Sequence, residues 1–368
     1  MASPQTTDDE APDPFAPRRN PTLIGHGATE AALLAASESG RLPHAIILGG
    51  PRGIGKATLA FRFTRFLLAG DSAGDGLFAA APKTDLAIDP EHPTARRVAA
   101  AGHADLLTVE RGLDPRRKRM RSEIVVDDVR EIASFLRLTS AEGGWRIVVI
   151  DSADEMNRNA TNALLKVLEE PPRQALLLLV CHAPGRLLPT IRSRCRLLRL
   201  EPLGETAVVE LLRQHRPALP LGEATALARL SEGSIGRAID LADAGGVDLY
   251  RSLLGLLGEL PQLDVAALHR LAERVAASDD SWRTFVELLT GWLAQLVTRA
   301  AGDGISDAPE IVPGEATLGA RLATRRRLDQ WVEVWEGLRM LFSRADAVNL
   351  DRKQVVLDAF LSLETAAR

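Results

Sequence analysis

In the segment Gly50-Pro51-Arg52-Gly53-Ile54-Gly55-Lys56, three glycines and a lysine stand at a spacing that suits a bound phosphate. Glycines let successive backbone amides curl around an anion, Lys56 adds a positive charge, and a helix starting there aims its N-terminal dipole at the same point. A plain Gly-rich turn is the competing reading, and an apolar run before the loop with a helical pattern after it argues against that. The next position is damaged. A hydroxyl normally follows the lysine and holds magnesium, but this chain has Ala57, and Thr58 lies about 100° further round the helix. Gly50, Gly53, Gly55, Lys56 and Thr58 therefore read as a degenerate nucleotide site, at which ATP or ADP would bind weakly and no cofactor is required.

A second chemical group is Asp151, at the end of the apolar run Val148-Val149-Ile150. A carboxylate there would stand at the C-terminal edge of a parallel sheet, the crevice where open α/β sheets bind ligands. Hydrolysis would need an adjacent acid to position or activate water. That neighbour is Ser152, which has no basicity at neutral pH, so the pair activates water poorly. Asp154 and Glu155 read as solvated charges opening the next loop.

These groups need a scaffold, and the hydrophobic pattern supplies one. Ala45-Ile46-Ile47-Leu48, Arg146 to Ile150 and Ala175 to Val180 read as buried strands. Helical patterns occupy Thr29 to Ser39, Lys56 to Leu68, Val126 to Leu136 and Thr161 to Glu169, so strands alternate with helices and imply a parallel sheet covered on both faces. After about Leu200 the strand signals vanish. Thr206 to His215, Glu223 to Leu230 and Ile235 to Ala242 form a short helical group ending at Gly245-Gly246, and Leu249 to Ala367 is helical apart from a loop over Gly302 to Pro313. Residues 1–20 are acidic and Pro-rich and read as a disordered tail.

Composition narrows the classes. The chain has 368 residues, 46% of them hydrophobic, with Lys+Arg 45 against Asp+Glu 49, which leaves a net charge of -4 and makes any nucleic-acid contact a matter of local patches. Aromatic residues are only 4%, too few for a stacking platform along single strands. Two cysteines, Cys181 and Cys195, exclude a disulfide framework and a four-cysteine zinc site, and both read as packed residues in a reducing cytoplasm. The longest apolar run, Ala175 to Cys181, falls far short of the roughly 20 residues of a membrane helix, and no signal-peptide core follows the N-terminus. A soluble cytoplasmic protein with no membrane partner is expected.

Asn162-Ala163-Leu164-Leu165-Lys166, then Leu168-Glu169-Glu170-Pro171-Pro172, then Ser193-Arg194-Cys195, with Pro43-His44-Ala45 ahead of the phosphate loop, give several blocks in fixed order. Over residues 22 to 245 the chain resembles the clamp-loader subunits of bacterial DNA polymerase III, and within them the delta prime branch. The resemblance implies an AAA+ P-loop parallel-sheet α/β domain over 21–203, a small helical lid over 204–245, and an all-α collar over 246–368 through which five subunits assemble. It also implies partners: gamma/tau and delta subunits, with the sliding clamp and primer-template DNA reached through the assembled hetero-oligomer.

The departures point away from the gamma/tau motor branch. Motor subunits carry a hydroxyl where this chain has Ala57, an acid at Ser152, a threonine pair at Cys181-His182, and an arginine two residues after Gly-Ser, where Gly233-Ser234-Ile235 is followed here by Gly236 and then Arg237. The resemblance implies a subunit that does not hydrolyse ATP by itself. An active AAA+ ATPase of the motor type that tolerates Ala57 through Thr58 is the alternative, and a general P-loop signalling ATPase fits the ordered blocks less well. Arg194 is retained, and in the family this arginine acts in trans on a neighbouring subunit's ATP; on spacing alone it is a surface charge. Relatives carry a four-cysteine zinc module after the first helix of the domain, but residues 70 to 105 hold no cysteine, and His92 and His103 make no closed site. No zinc is expected. The basic runs 116–121 and 325–327 suit a solvated surface, DNA phosphates or, for the second, a subunit contact equally well.

Overall fold

The computed structural model describes residues 13–70, 84–114, 119–301, 310–325 and 328–368. They divide into two compact units that meet in chain order between Ala207 and Val208.

The first unit contains α1 (Gly27–Glu38), β1 (Ala45–Gly49), α2 (Lys56–Ala69), α3 (Pro93–Ala99), β2 (Leu106–Val109), a short hairpin β3 (Leu113–Asp114) and β4 (Arg119–Met120), α4 (Val126–Arg137), β5 (Arg146–Ile150), α5 (Arg158–Glu169), β6 (Ala175–Cys181), α6 (Pro189–Arg192) and β7 (Arg196–Arg199). Five strands form a parallel sheet in the order β2-β5-β6-β1-β7. The register pairs Gly49 with Cys181 and Ile150 with Leu179, so the C-terminal ends of β1, β5 and β6 share one edge. Alternate residues of each strand enter opposite cores. Ile46, Leu48, Ile147, Val149, Leu176 and Leu178 pack with Leu33, Leu59 and Phe63 of α1 and α2. Ala45, Ile47, Val148, Ile150, Leu177 and Leu179 pack with Val129, Ile132, Leu164 and Leu168 of α4 and α5. Burial on both faces is why these strands read as unbroken apolar runs.

The three central strands, β1, β5 and β6, are marked by apolar runs in the sequence, and the two edge strands are not. β7 has arginines at both ends and is only half-buried, and β2 is four residues long, so neither carries a strong apolar signal. Helix starts follow ordinary capping: Asn157 accepts from the Ala160 N–H at 2.9 Å ahead of α5, and Asp128 accepts from the Val125 N–H at 3.0 Å ahead of α4. Arg18 and Asn20, expected as part of a tail, lie against α2, where Arg65 donates to the carbonyls of Arg18 at 2.9 Å and Asn20 at 2.7 Å. Residues 1–12 lie outside the described residues.

The helical unit takes most of α7 (Glu205–His215), then α8 (Leu221–Leu230), α9 (Ile235–Asp243), α10 (Gly246–Glu259), α11 (Val265–Ala276), α12 (Asp279–Ala301), α13 (Glu315–Arg325), α14 (Leu328–Val348) and α15 (Arg352–Ala367). Its core holds Trp282 edge-on to Phe342, with ring centroids 5.6 Å apart. Trp331 is fully buried and donates to the Leu322 carbonyl at 3.1 Å. Tyr250 donates to the buried Glu315 carboxylate at 2.7 Å. No helix among the described residues is long and apolar enough to cross a membrane.

Candidate functional site

The phosphate loop leaves β1 and enters α2, as its sequence requires. Gly50 sits where the chain passes Leu200: a Cβ there would lie 2.4 Å from the Leu200 carbonyl oxygen and 2.9 Å from Ile54 Cδ1. Gly55 caps α2 in the left-handed region at φ 101°, and Gly53 at φ 75° also has positive φ, the backbone freedom glycine supplies in such loops. Lys56 is buried, and its ammonium donates to the Pro51 carbonyl across the loop. Burial pushes its pKa down to about 8, against the pull of Asp154 and Asp151. His26, buried beside the loop, brings its Nε2 within 2.6 Å of the Ile54 carbonyl oxygen and covers Gly55. No feature of the sequence reading pointed to His26; its place depends on how the segment before α1 folds back.

On the same sheet edge, facing Lys56, the structure assembles Asp151, Ser152, Asp154, Cys181 and His182. Ser152 takes left-handed backbone angles at φ 62°. Its Oγ lies 3.1 Å from His182 Nε2. Asp154 is no solvated charge. Its carboxylate accepts the N–H of His182 at 2.8 Å and of Ala183 at 3.0 Å, joining the end of β5 to the turn after β6. Burial alone would raise this carboxyl; the backbone donors and the His182 imidazole outweigh it and hold Asp154 below the usual carboxylate range. Burial and the Lys56 charge push His182 down, so the imidazole is neutral near pH 7. Burial lifts the Cys181 thiol to about 12 and the Cys195 thiol to about 11, which keeps both thiols protonated near neutral pH.

The residues of the sequence reading thus fall into groups. Gly50, Gly53, Gly55 and Lys56 form the loop, with Asp151 on the facing strand end. Ala57 and the buried Thr58 lie on the first turn of α2, and Ala57 packs against the core of the α1 and α2 face. Arg194 belongs to a separate group on the turn after α6. It is half-buried, donates to the Thr190 carbonyl at 3.0 Å, and pairs with Glu169 at 2.9 Å. Arg237, in the helical unit, faces Glu232 and Glu287 at 3.6 Å each.

Of the basic runs, residues 115–118 and 326–327 lie outside the described residues. Arg121 pairs with Asp128 at 3.6 Å, and the hairpin leading to it leaves Leu113 and Met120 exposed. Among the described residues no group of three or more His, Cys, Asp or Glu side chains is placed to hold a metal ion.

A parallel five-stranded sheet with a phosphate loop after an inner strand, followed by a helical unit, makes this an α/β P-loop protein. Residues 25–204 match the family described as DNA polymerase III, delta subunit. The chain is 32% identical over 284 residues to the DNA polymerase III subunit delta' of Pseudomonas aeruginosa, covering 73% of this chain and 77% of that protein. It is 32% identical over 212 residues to the delta' subunit of Escherichia coli, 57% of each chain, and 26% identical over 287 residues to subunit tau/gamma of Haemophilus influenzae, 72% of this chain and 39% of that one. The chain belongs to the delta prime family of DNA polymerase III clamp-loader subunits.

Proposed function

We propose that this chain is a non-hydrolysing arm of the replicative clamp loader that supplies Arg194 in trans to the ATP of a neighbouring motor subunit. In this reading it acts in the cytoplasm, anchored to gamma/tau and delta subunits through a collar over 246–368, with a lid over 204–245, and it helps place the sliding clamp on primed DNA through the assembled complex.

The observation that carries the reading is the contrast between two sites. At the phosphate loop the magnesium hydroxyl is replaced by Ala57 and the catalytic acid by Ser152, which is turned to His182, while Lys56 is engaged by Pro51. On the turn after α6, by contrast, a half-exposed guanidinium is retained. Of the nucleotide, the loop amides of Gly53 and Gly55 and the ammonium of Lys56 would hold the phosphates, once the lysine leaves Pro51. That cost favours weak ATP or ADP binding. Arg194 would lower the barrier next door by meeting negative charge that develops on the phosphoryl oxygens.

Reconstitution tests the reading. DNA- and clamp-stimulated ATP hydrolysis by motor subunits should rise when this chain is added and fall when it carries Arg194→Ala. Equal stimulation by wild type and variant in fully assembled complexes removes the trans role.

A further inference from the structure

We infer that Glu169 is a positioning residue for Arg194: it fixes the guanidinium in a presented orientation before a neighbouring phosphate arrives. The inference rests on the reading of Arg194 as a group acting in trans.

Two elements grip Arg194. One terminal nitrogen donates to the Thr190 carbonyl at 3.0 Å and lies 3.5 Å from Ser193 Oγ, both on its own turn. The other meets Glu169 Oε1 at 2.9 Å, from the last residue of α5. The spacing of these anchors is set by packing, because Ile191 and Leu187 beside the turn are buried in the same core as Leu164, Val167 and Leu168 of α5. Pro171-Pro172 ends the helix directly after Glu169 and Glu170.

The placement of the acid is informative. A carboxylate at a helix C-terminus meets the negative end of the macrodipole, so Glu169 works against α5 rather than for it. The pair also contributes little to the fold, with the arginine side chain 36% and the glutamate 51% exposed. Its effect falls on the arginine. A long cationic side chain loses rotamer freedom when it engages a phosphate, and an anchor that has already removed that freedom leaves less to lose. Guanidinium N–H groups beyond these contacts stay available, since the group carries five donors.

The test is a cycle in fully assembled clamp-loader complexes made with wild type, Glu169→Ala, Glu169→Gln, Arg194→Ala and the Glu169→Ala/Arg194→Ala pair. Stimulated ATPase is followed as kcat and KM. Glu169→Ala should lower kcat about two- to tenfold with KM for ATP unchanged, the size of effect that fixing one such side chain supplies. Glu169→Gln, which keeps an acceptor oxygen, should recover part of the loss. The double variant should be no slower than Arg194→Ala alone. An unchanged or raised kcat in Glu169→Ala, or additive losses in the double variant, overturns the positioning role. If Arg194→Ala slows the complex and Glu169→Ala does not, this inference alone fails. If Arg194→Ala is silent, the trans reading fails and takes this one with it.

Discussion

The Oγ of Ser152 and the Nε2 of His182 stand 3.1 Å apart, joining the ends of two adjacent strands where a hydrolysing site would hold an acid and a water. Asp154 fastens the same corner by accepting two backbone N–H groups from the turn after β6. The corner is thus tied by side-chain and backbone hydrogen bonds between the segment after β5 and the turn after β6.

The purified chain should therefore show no ATP turnover above a Lys56→Ala control. Restoring one group should not change this: Ser152→Glu puts an acid at the strand end, yet Ala57 still offers no magnesium ligand. Steady-state phosphate release from both proteins checks the expectation. A robust rate in either one, lost on adding Lys56→Ala, would sink the degenerate-site reading.

Lys56 gives a pH signature. Its folded-state pKa of about 8 lies below its ordinary 10.5 because of burial. Between those values the unfolded chain holds more protons than the folded one, so the lysine's contribution to stability rises with pH across that window and is least favourable below it. Compared with Lys56→Met, which cannot titrate, the wild-type chain should gain on the order of 2–3 kcal/mol on going from about pH 7 to about pH 10. Denaturant unfolding of both proteins at the two pH values measures the difference. A difference that stays constant across the window would place the ammonium in water instead of against Pro51.

The sequence disclosed the loop and the central strands because each rests on local signals. Glycine spacing at 50, 53 and 55 and the apolar runs of β1, β5 and β6 need no distant partner to be recognised. The engagements of the site were not legible in the same way. Asp154 reads as a solvated charge until the turn after β6, 28 residues away, brings it the His182 N–H. Glu169 and Arg194 both belong to recognisable blocks, but their pairing depends on how α6 packs against α5. His26 reaches the loop only through the path of the chain before α1.

The unit boundary refines where the chain can be cut. Both faces of the sheet are covered by helices before Ala207, so a chain ending there should fold cooperatively on its own. A cut after Gly245 runs through the helical unit instead. It strips α10 from α9, where Gly246 sits so close that an added Cβ would meet the Leu241 carbonyl oxygen at 2.9 Å. That longer fragment should expose Leu241 and Ala238 and aggregate more readily. Sedimentation and thermal unfolding of the two fragments check the order. Neither should join the motor subunits, and retained assembly by either contradicts the collar role of residues 246–368.

Arg194 offers a contrast between fold and chemistry within one residue. Its contacts in the isolated chain are an exposed carboxylate and a local carbonyl, so Arg194→Ala opens no cavity and breaks a pair of the kind worth about 0–1 kcal/mol. The melting temperature of the isolated chain should hardly move. In the complex the same truncation removes one donor from the neighbouring subunit's developing phosphate charge. The loss should fall more on kcat than on KM, because the contact strengthens as charge accumulates on the phosphoryl oxygens. Arg194→Lys separates charge from shape. An ammonium keeps the positive charge but lacks the planar fork that meets two oxygens together, and it cannot hold Thr190 and Glu169 from the two terminal nitrogens of one plane. Lysine should therefore restore part of the salt-dependent encounter and little of the rate. Full recovery of kcat by lysine would reduce Arg194 to a point charge and discard the forked contact; unchanged kcat in the alanine variant would leave this chain a structural arm.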